Sequence, residues 1–86
     1  MKILIPTPLR SYTDDRGEVS SDGMTLGEML NHLDRQYPGI RFRMIDEQER
    51  IRQHIKMFVN REQIFDLSSS LKPTDEIQII CALSGG

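Results

Sequence analysis

Apolar residues recur along this chain at two different periods, and each change of period marks a new element. In Lys2-Ile3-Leu4-Ile5-Pro6-Thr7-Pro8-Leu9, residues Ile3, Ile5 and Leu9 sit at even spacings. They share one face of an extended segment over 2–9, while Lys2 and Leu4 take the other. Pro6 and Pro8 have no amide hydrogen to donate, so the second half of this strand has a free edge or leaves the sheet. Ser11 to Gly17 is rich in turn formers, and Glu18-Val19-Ser20-Ser21 reads as a short second strand that closes a hairpin. Asp22-Gly23 ends it.

The period then lengthens. Leu26, Met29, Leu30, Leu33 and Tyr37 follow one another at steps of three, one, three and four, which places them on one stripe of a helix. Thr25 can accept a hydrogen bond from an amide of the first turn, and Glu28, three positions on, can complete a capping box. Pro38-Gly39 stops the helix: proline clashes with the preceding turn, and glycine tolerates the left-handed geometry of a helix end.

Between 40 and 53 the pattern predicts one helical turn, with Ile40 and Met44 inward, followed by a loop whose Asp46-Glu47-Gln48-Glu49-Arg50 faces solvent. The two-residue period returns over 54–60, where Ile55, Met57 and Val59 oppose Lys56 and Phe58. Asn60-Arg61-Glu62 is a turn, and Gln63-Ile64-Phe65 a short return strand. Leu67 and Leu71, four apart, suggest an irregular helical turn that drops both onto the core. Lys72 to Asp75 turns the chain into a last strand, Glu76-Ile77-Gln78-Ile79-Ile80-Cys81. One amphipathic helix must bury its stripe against one sheet, so the expected fold is a two-layer α+β domain.

Composition narrows the functional classes. The chain has 86 residues, enough for one compact domain. Its 11 Lys+Arg are interspersed with 13 Asp+Glu, giving a net charge of -2, so no basic stripe is available for a nucleic-acid backbone. No run approaches the ~20 apolar residues needed to span a bilayer. The start passes directly into a strand without a signal-peptide core, so a soluble, cytoplasmic protein is expected. No nucleic acid and no membrane is expected among its partners.

Catalytic clusters are scarce. His32 and His54 have no second His or Cys at ligand-like spacing, and their ordinary reading is as surface or edge residues. The carboxylates of Asp14, Asp15, Asp22 and the 46–49 cluster could do acid-base work, but such residues also keep a small protein soluble. Cys81 has no thiolate-stabilising neighbour in sequence and reads as a small, half-buried hydrophobe. Gly85-Gly86 is more informative: chance places two glycines there in about one chain in 200. The tail Ala82-Leu83-Ser84-Gly85-Gly86 carries no charged side chain and follows the last strand, so it is expected to be mobile. A tip without Cβ atoms can thread a narrow channel in another protein and present its carboxylate there.

These pieces together resemble the ubiquitin-like β-grasp sulfur carriers, the family that includes the thiamin sulfur carrier and the small subunit of molybdopterin synthase. The resemblance rests on Ile5-Pro6-Thr7 and Leu9-Arg10, the Thr25-Leu26-Gly27 helix start, Tyr37-Pro38-Gly39-Ile40, Phe58-Val59-Asn60, and the Ala82-Leu83-Ser84-Gly85-Gly86 tail. Within the family the chain is most similar to the carrier of the protein-thiocarboxylate route to cysteine, through its long 40–55 segment. Cys81 stands where that resemblance leads one to expect proline. The resemblance implies a β-grasp domain over 1–82, a mixed sheet of four to five strands on one main helix, and a flexible tail over 83–86. It also implies that the chain is no enzyme and binds no cofactor or metal itself. An E1-like adenylyltransferase, using ATP and magnesium, would adenylate Gly86. Sulfur would then displace AMP to leave a thiocarboxylate, and a sulfur-accepting biosynthetic enzyme would take that sulfur, with Gly85 permitting presentation.

Docking requires a surface. If Ile3, Ile5, Ile55, Met57, Val59, Ile77 and Ile79 face the helix, then Leu4, Phe58 and Ile80 emerge from the opposite sheet face as three large exposed apolar groups. With Leu83, Ser84, Gly85 and Gly86 they make up the candidate partner-binding site. Two alternatives stay open: a modifier that forms isopeptide bonds through the same activated end, and a non-covalent β-grasp adaptor.

Overall fold

A computed structural model describes residues 1–82. The tail over 83–86, to which Leu83, Ser84, Gly85 and Gly86 belong, lies outside the described residues.

Five strands form where side chains alternate: β1 (Lys2–Leu4), β2 (Glu18–Ser20), β3 (Ile55–Val59), β4 (Glu62–Ile64) and β5 (Glu76–Cys81). They make one mixed sheet in the order β2-β1-β5-β3-β4. β5 is parallel to β1, and the other pairs are antiparallel. The register carries the core across the strands: Val19, Ile3, Ile77 and Val59 lie in one row, and Ile79, Met57 and Ile64 in the next. Onto this face packs α1 (Leu26–Gln36), which buries Leu26, Met29, Leu30 and Leu33 completely. The short α2 (Ile40–Met44) follows, with Ile40 and Met44 buried as its spacing predicts. The two-layer α+β architecture and its mixed sheet are as expected, with five strands.

The start of α1 leaves none of its first amides without a partner. Leu26 N–H donates to Ser69 O, Gly27 N–H to Leu67 O, Glu28 N–H to Thr25 Oγ1 and Met29 N–H to Thr25 O. Glu28 reaches back to Met24 N–H, one residue beyond the expected box. The 67–71 segment therefore seals the helix end. It is a turn and a single bridge between Ser70 and Thr25, with Leu71 buried and Leu67 half-buried, and no helical turn forms there. Gly27 fits this approach, since a Cβ there would stand 3.3 Å from Leu67 O.

The opening strand departs from expectation. β1 stops at Leu4, although Ile5 N–H still donates to Gly17 O, and Thr7–Tyr12 winds into a 3-10 helix behind Pro6. Two prolines close together cannot continue the ladder, and their fixed φ suits a helical start. Leu9 is buried, as predicted, but from a helix and not from a strand. Ile45, read as part of a loop, is fully buried and pairs with Ile51.

The turns around β5 are tied to each other. Asn60 and Arg61 both adopt positive φ to reverse β3 into β4. Asn60 Nδ2 donates to Asp75 Oδ1 (2.8 Å), Lys72 N–H donates to Asp75 Oδ2 (2.8 Å), and Glu76 N–H donates to Asn60 Oδ1. The Lys72 amide and then the Asn60 amide hold the Asp75 carboxyl below the usual aspartate range.

Two outcomes follow. Leu33→Ala, which empties a site with no solvent access, is expected to cost about 2–5 kcal/mol in urea denaturation while leaving the helical circular-dichroism signature in place. Because the folded Asp75 pKa is depressed, its contribution is fully present above the unfolded value near 3.8 and is lost as pH falls through the folded one. Asp75→Ala should therefore lower the urea midpoint at neutral pH and flatten its fall in acid, so that the two midpoints converge. Parallel pH profiles would refute this account.

Candidate functional site

β5 is the strand from which the rest of the site is built. It pairs on both edges, and after Cys81 the ladder gains one more bond, from Ala82 N–H to His54 O (2.7 Å). The chain thus leaves the sheet at the end of its central strand, with Ala82 exposed.

Alternation along β5 turns Ile77 and Ile79 to the core and Glu76, Gln78 and Ile80 outward. On the outer face the register sets Leu4 and Phe58 on either side of Gln78, in a row that runs Glu18, Leu4, Gln78, Phe58, Gln63. With strands about 4.8 Å apart, Leu4 and Phe58 stand about 10 Å from each other. Ile80 lies two residues nearer the tail, opposite Lys56. The three predicted residues are therefore brought together as a triangle around one amide. At the far end from the tail, Lys2 Nζ lies 3.7 Å from Glu18 and 3.5 Å from Glu76. These exposed pairs add little to stability but charge that end of the face.

The expectation that the three are exposed is corrected. Leu4, Phe58 and Ile80 are half-buried, yet none belongs to the residues packed on the core. Leu4 and Phe58 each flank Gln78, and Ile80 lies beside Lys56, so each has a long side chain next to it on the same face. The large apolar residues that do face solvent are Met24, Phe42 and Phe65, at 75%, 55% and 75% exposure. Sequence reasoning passed over Phe42, although it sits two positions from both Ile40 and Met44 and so is out of phase with the buried side of α2. Phe65, read as strand, lies beyond the end of β4.

Leu4, Pro6, Arg10, Gln78 and Ile80, together with Pro8 and Cys81, line a shallow depression on the outer face. Cys81 is half-buried against the core, and burial pushes its thiol up, away from the thiolate form. His32 is half-buried and His54 exposed. Among the described residues no three His, Cys, Asp or Glu side chains are grouped to hold a metal ion. No helix there is long and apolar enough to cross a membrane. The described part of the site is an apolar triangle on the outer face and the end of β5.

Comparisons with known proteins agree with this geometry. The family model described as the ThiS family matches residues 3–86. The sulfur carrier protein CysO of Mycobacterium tuberculosis is 30% identical, over 98% of this chain and 96% of its own. A chain in the crystal structure of the Amycolatopsis orientalis BexX/CysO complex superposes with a TM-score of 0.91 at 30% identity, covering 99% of this chain and 98% of its own. SAMP1 from Haloferax volcanii superposes with a TM-score of 0.79 at 25% identity, covering 100% of this chain and 98% of its own. These neighbours fix the fold as the ubiquitin-like β-grasp, and the chain belongs to the ThiS family of sulfur carriers.

Proposed function

We propose that this protein is a cytoplasmic sulfur carrier whose reacting group is the Gly86 carboxylate, and that it is a substrate of enzymes and not itself one. The observation that carries this reading is the span of the family match. It runs through residue 86 and so includes the glycine pair, and the fold delivers that segment from the end of its central strand.

An E1-like adenylyltransferase binds this chain and uses ATP and magnesium. A Gly86 carboxylate oxygen attacks the α-phosphorus, pyrophosphate leaves, and the acyl-adenylate carbonyl becomes open to a sulfur nucleophile. Hydrosulfide displaces AMP to give the thiocarboxylate directly. A persulfide gives the same product once a thiol cleaves its S–S bond. Gly85 lets the end adopt conformations closed to other residues, and Leu83 and Ser84 connect it to the body. Leu4, Phe58 and Ile80 form the surface on which the activating and sulfur-accepting enzymes dock. The CysO neighbour comes from a complex with a partner, BexX, which supports docking of such a body on another protein.

The likeness to SAMP1, a modifier protein, favours a second reading in which the same activated end is transferred to lysines. The two differ in product and share the activation step.

With its activating enzyme, ATP, magnesium and sulfide, the full chain is expected to gain the mass of one sulfur in exchange for one oxygen, and deletion of Gly86 to abolish this. Unchanged modification of the truncated chain would rule out the site. Reductant-resistant conjugates of higher mass that disappear with Gly86 would establish the modifier reading instead. Phe58→Ser and Ile80→Ser, on the outer face, are each expected to lower kcat/KM for adenylation about tenfold or more while the urea midpoint stays near that of the parent chain. Unaltered kinetics in both would remove the triangle from the docking surface.

A further inference from the structure

Beside the end of β5, on the side of the helical layer, lies a groove lined by Pro8, Leu9, Phe42, Arg43, Arg52, His54, Cys81 and Ala82. Two arginines and a histidine line it, and among the described residues no carboxylate does, although the chain as a whole has a net charge of -2. Arg52 is fixed in place. Its Nε donates to Phe42 O (2.8 Å), and its guanidinium carbon stands 4.6 Å from the centre of the Phe42 ring. Arg43 is exposed. Among the described residues neither takes part in an ion pair, whereas nearby Arg41 is bound to both oxygens of Glu49. The carboxylate of Asp46, within the field of Arg52, has its Oδ1 occupied by the amides of Gln48 and Arg50. The result is a guanidinium held on an aromatic ring, with a second cation beside it.

We infer that this groove receives an acidic segment of the activating enzyme. The inference rests on the carrier reading above and adds what the partner must present. Covalent geometry supplies the link. Four residues separate Ala82 from Gly86, and four residues extend at most about 14 Å. An enzyme that closes its adenylation pocket on Gly86 therefore brings its surface over the residues around Ala82, which are those of the groove. A surface placed there meets two arginine forks, and carboxylates complement them: Arg binds a carboxylate with two parallel hydrogen bonds, and the ring beneath Arg52 pre-organises one such fork. Charges of this kind act mainly on encounter rate and orientation, and their effect is screened by salt.

The test is adenylation of the full chain by its activating enzyme, followed as pyrophosphate release over a salt series. Binding of the same pair is measured by calorimetry without ATP. Arg43→Glu, which breaks no hydrogen bond seen in the structure, and Arg43→Glu/Arg52→Glu are compared with the parent chain after their urea midpoints confirm folding. The double variant is expected to lose about tenfold or more in kcat/KM and in affinity near 0.05 M salt, with kcat little changed and the gap closing toward 1 M, where charges more than about 3 Å apart are screened. Arg43→Glu alone should fall between the two. Equal affinity and equal salt dependence in all three would overturn the inference while leaving the carrier reading intact. Tight, salt-sensitive binding of a parent chain that is never adenylated would support the groove and defeat the carrier reading.

Discussion

The pairing of β5 on both of its edges is the constraint from which the other features follow. A strand held by β1 on one side and β3 on the other, with Ile77 and Ile79 buried beneath it, is among the last parts of a small domain to open. Its register decides at once which residues face the helix and which face outward, and a slip of one residue would exchange the two sets. The bond from Ala82 N–H to His54 O extends that hold to the last described residue, so whatever follows hangs from a fixed point. The clasp of Asn60 and Asp75 does the same at the other end of the strand.

A domain of this size gains its stability by covering one sheet face with one helix and a few loops. The outer depression and the basic groove are both open and meet at the end of β5. The helix N-terminus, a common anion site in larger α/β proteins, is closed here by the carbonyls of Leu67 and Ser69. On the carrier reading, a protein that cannot surround its chemistry can still lend it: the body provides an address, and the partner provides the pocket.

What was legible in the sequence followed from how local the determinant is. The stripe from Leu26 to Leu33, its Thr25 cap and the alternation of β5 are properties of a few consecutive residues, and they appear as predicted. The 3-10 helix over Thr7–Tyr12 was missed because even spacing of Ile3, Ile5 and Leu9 fits a strand as well as a strand followed by a tight helix. Only the two prolines argued for the break. Burial of Ile45 depends on a bridge to Ile51 across a loop, and no period records that. For the candidate site, alternation gave the identity of Leu4, Phe58 and Ile80 but not their shading, which depends on what stands beside them on other strands. The groove was invisible because α2, the 45–55 loop and β5 meet only in three dimensions. Cys81, the departure from the expected proline, is accommodated by the ladder. The bond at Ala82 implies that the Cys81 amide points toward β1, whose pairing has already ended at Leu4. Either residue can therefore sit there without loss of a bond to β3.

The outer depression and the basic groove share Pro8 and Cys81, so the two surfaces meet at the strand end. They differ in physical character, and that difference has consequences for recognition. Apolar contact around Leu4, Phe58 and Ile80 is non-directional and gives affinity to any partner of fitting shape. Arg43 and Arg52 give little affinity of that kind but make one orientation preferable for an acidic partner, because they set two cations side by side at one place on a chain of net charge -2. A tail of four residues cannot correct a body that docks the wrong way round, since its reach is about 14 Å. On the carrier reading, orientation therefore has to be settled before the end of the chain enters a pocket, and a localised patch of charge beside Ala82 would settle it at the stage of encounter.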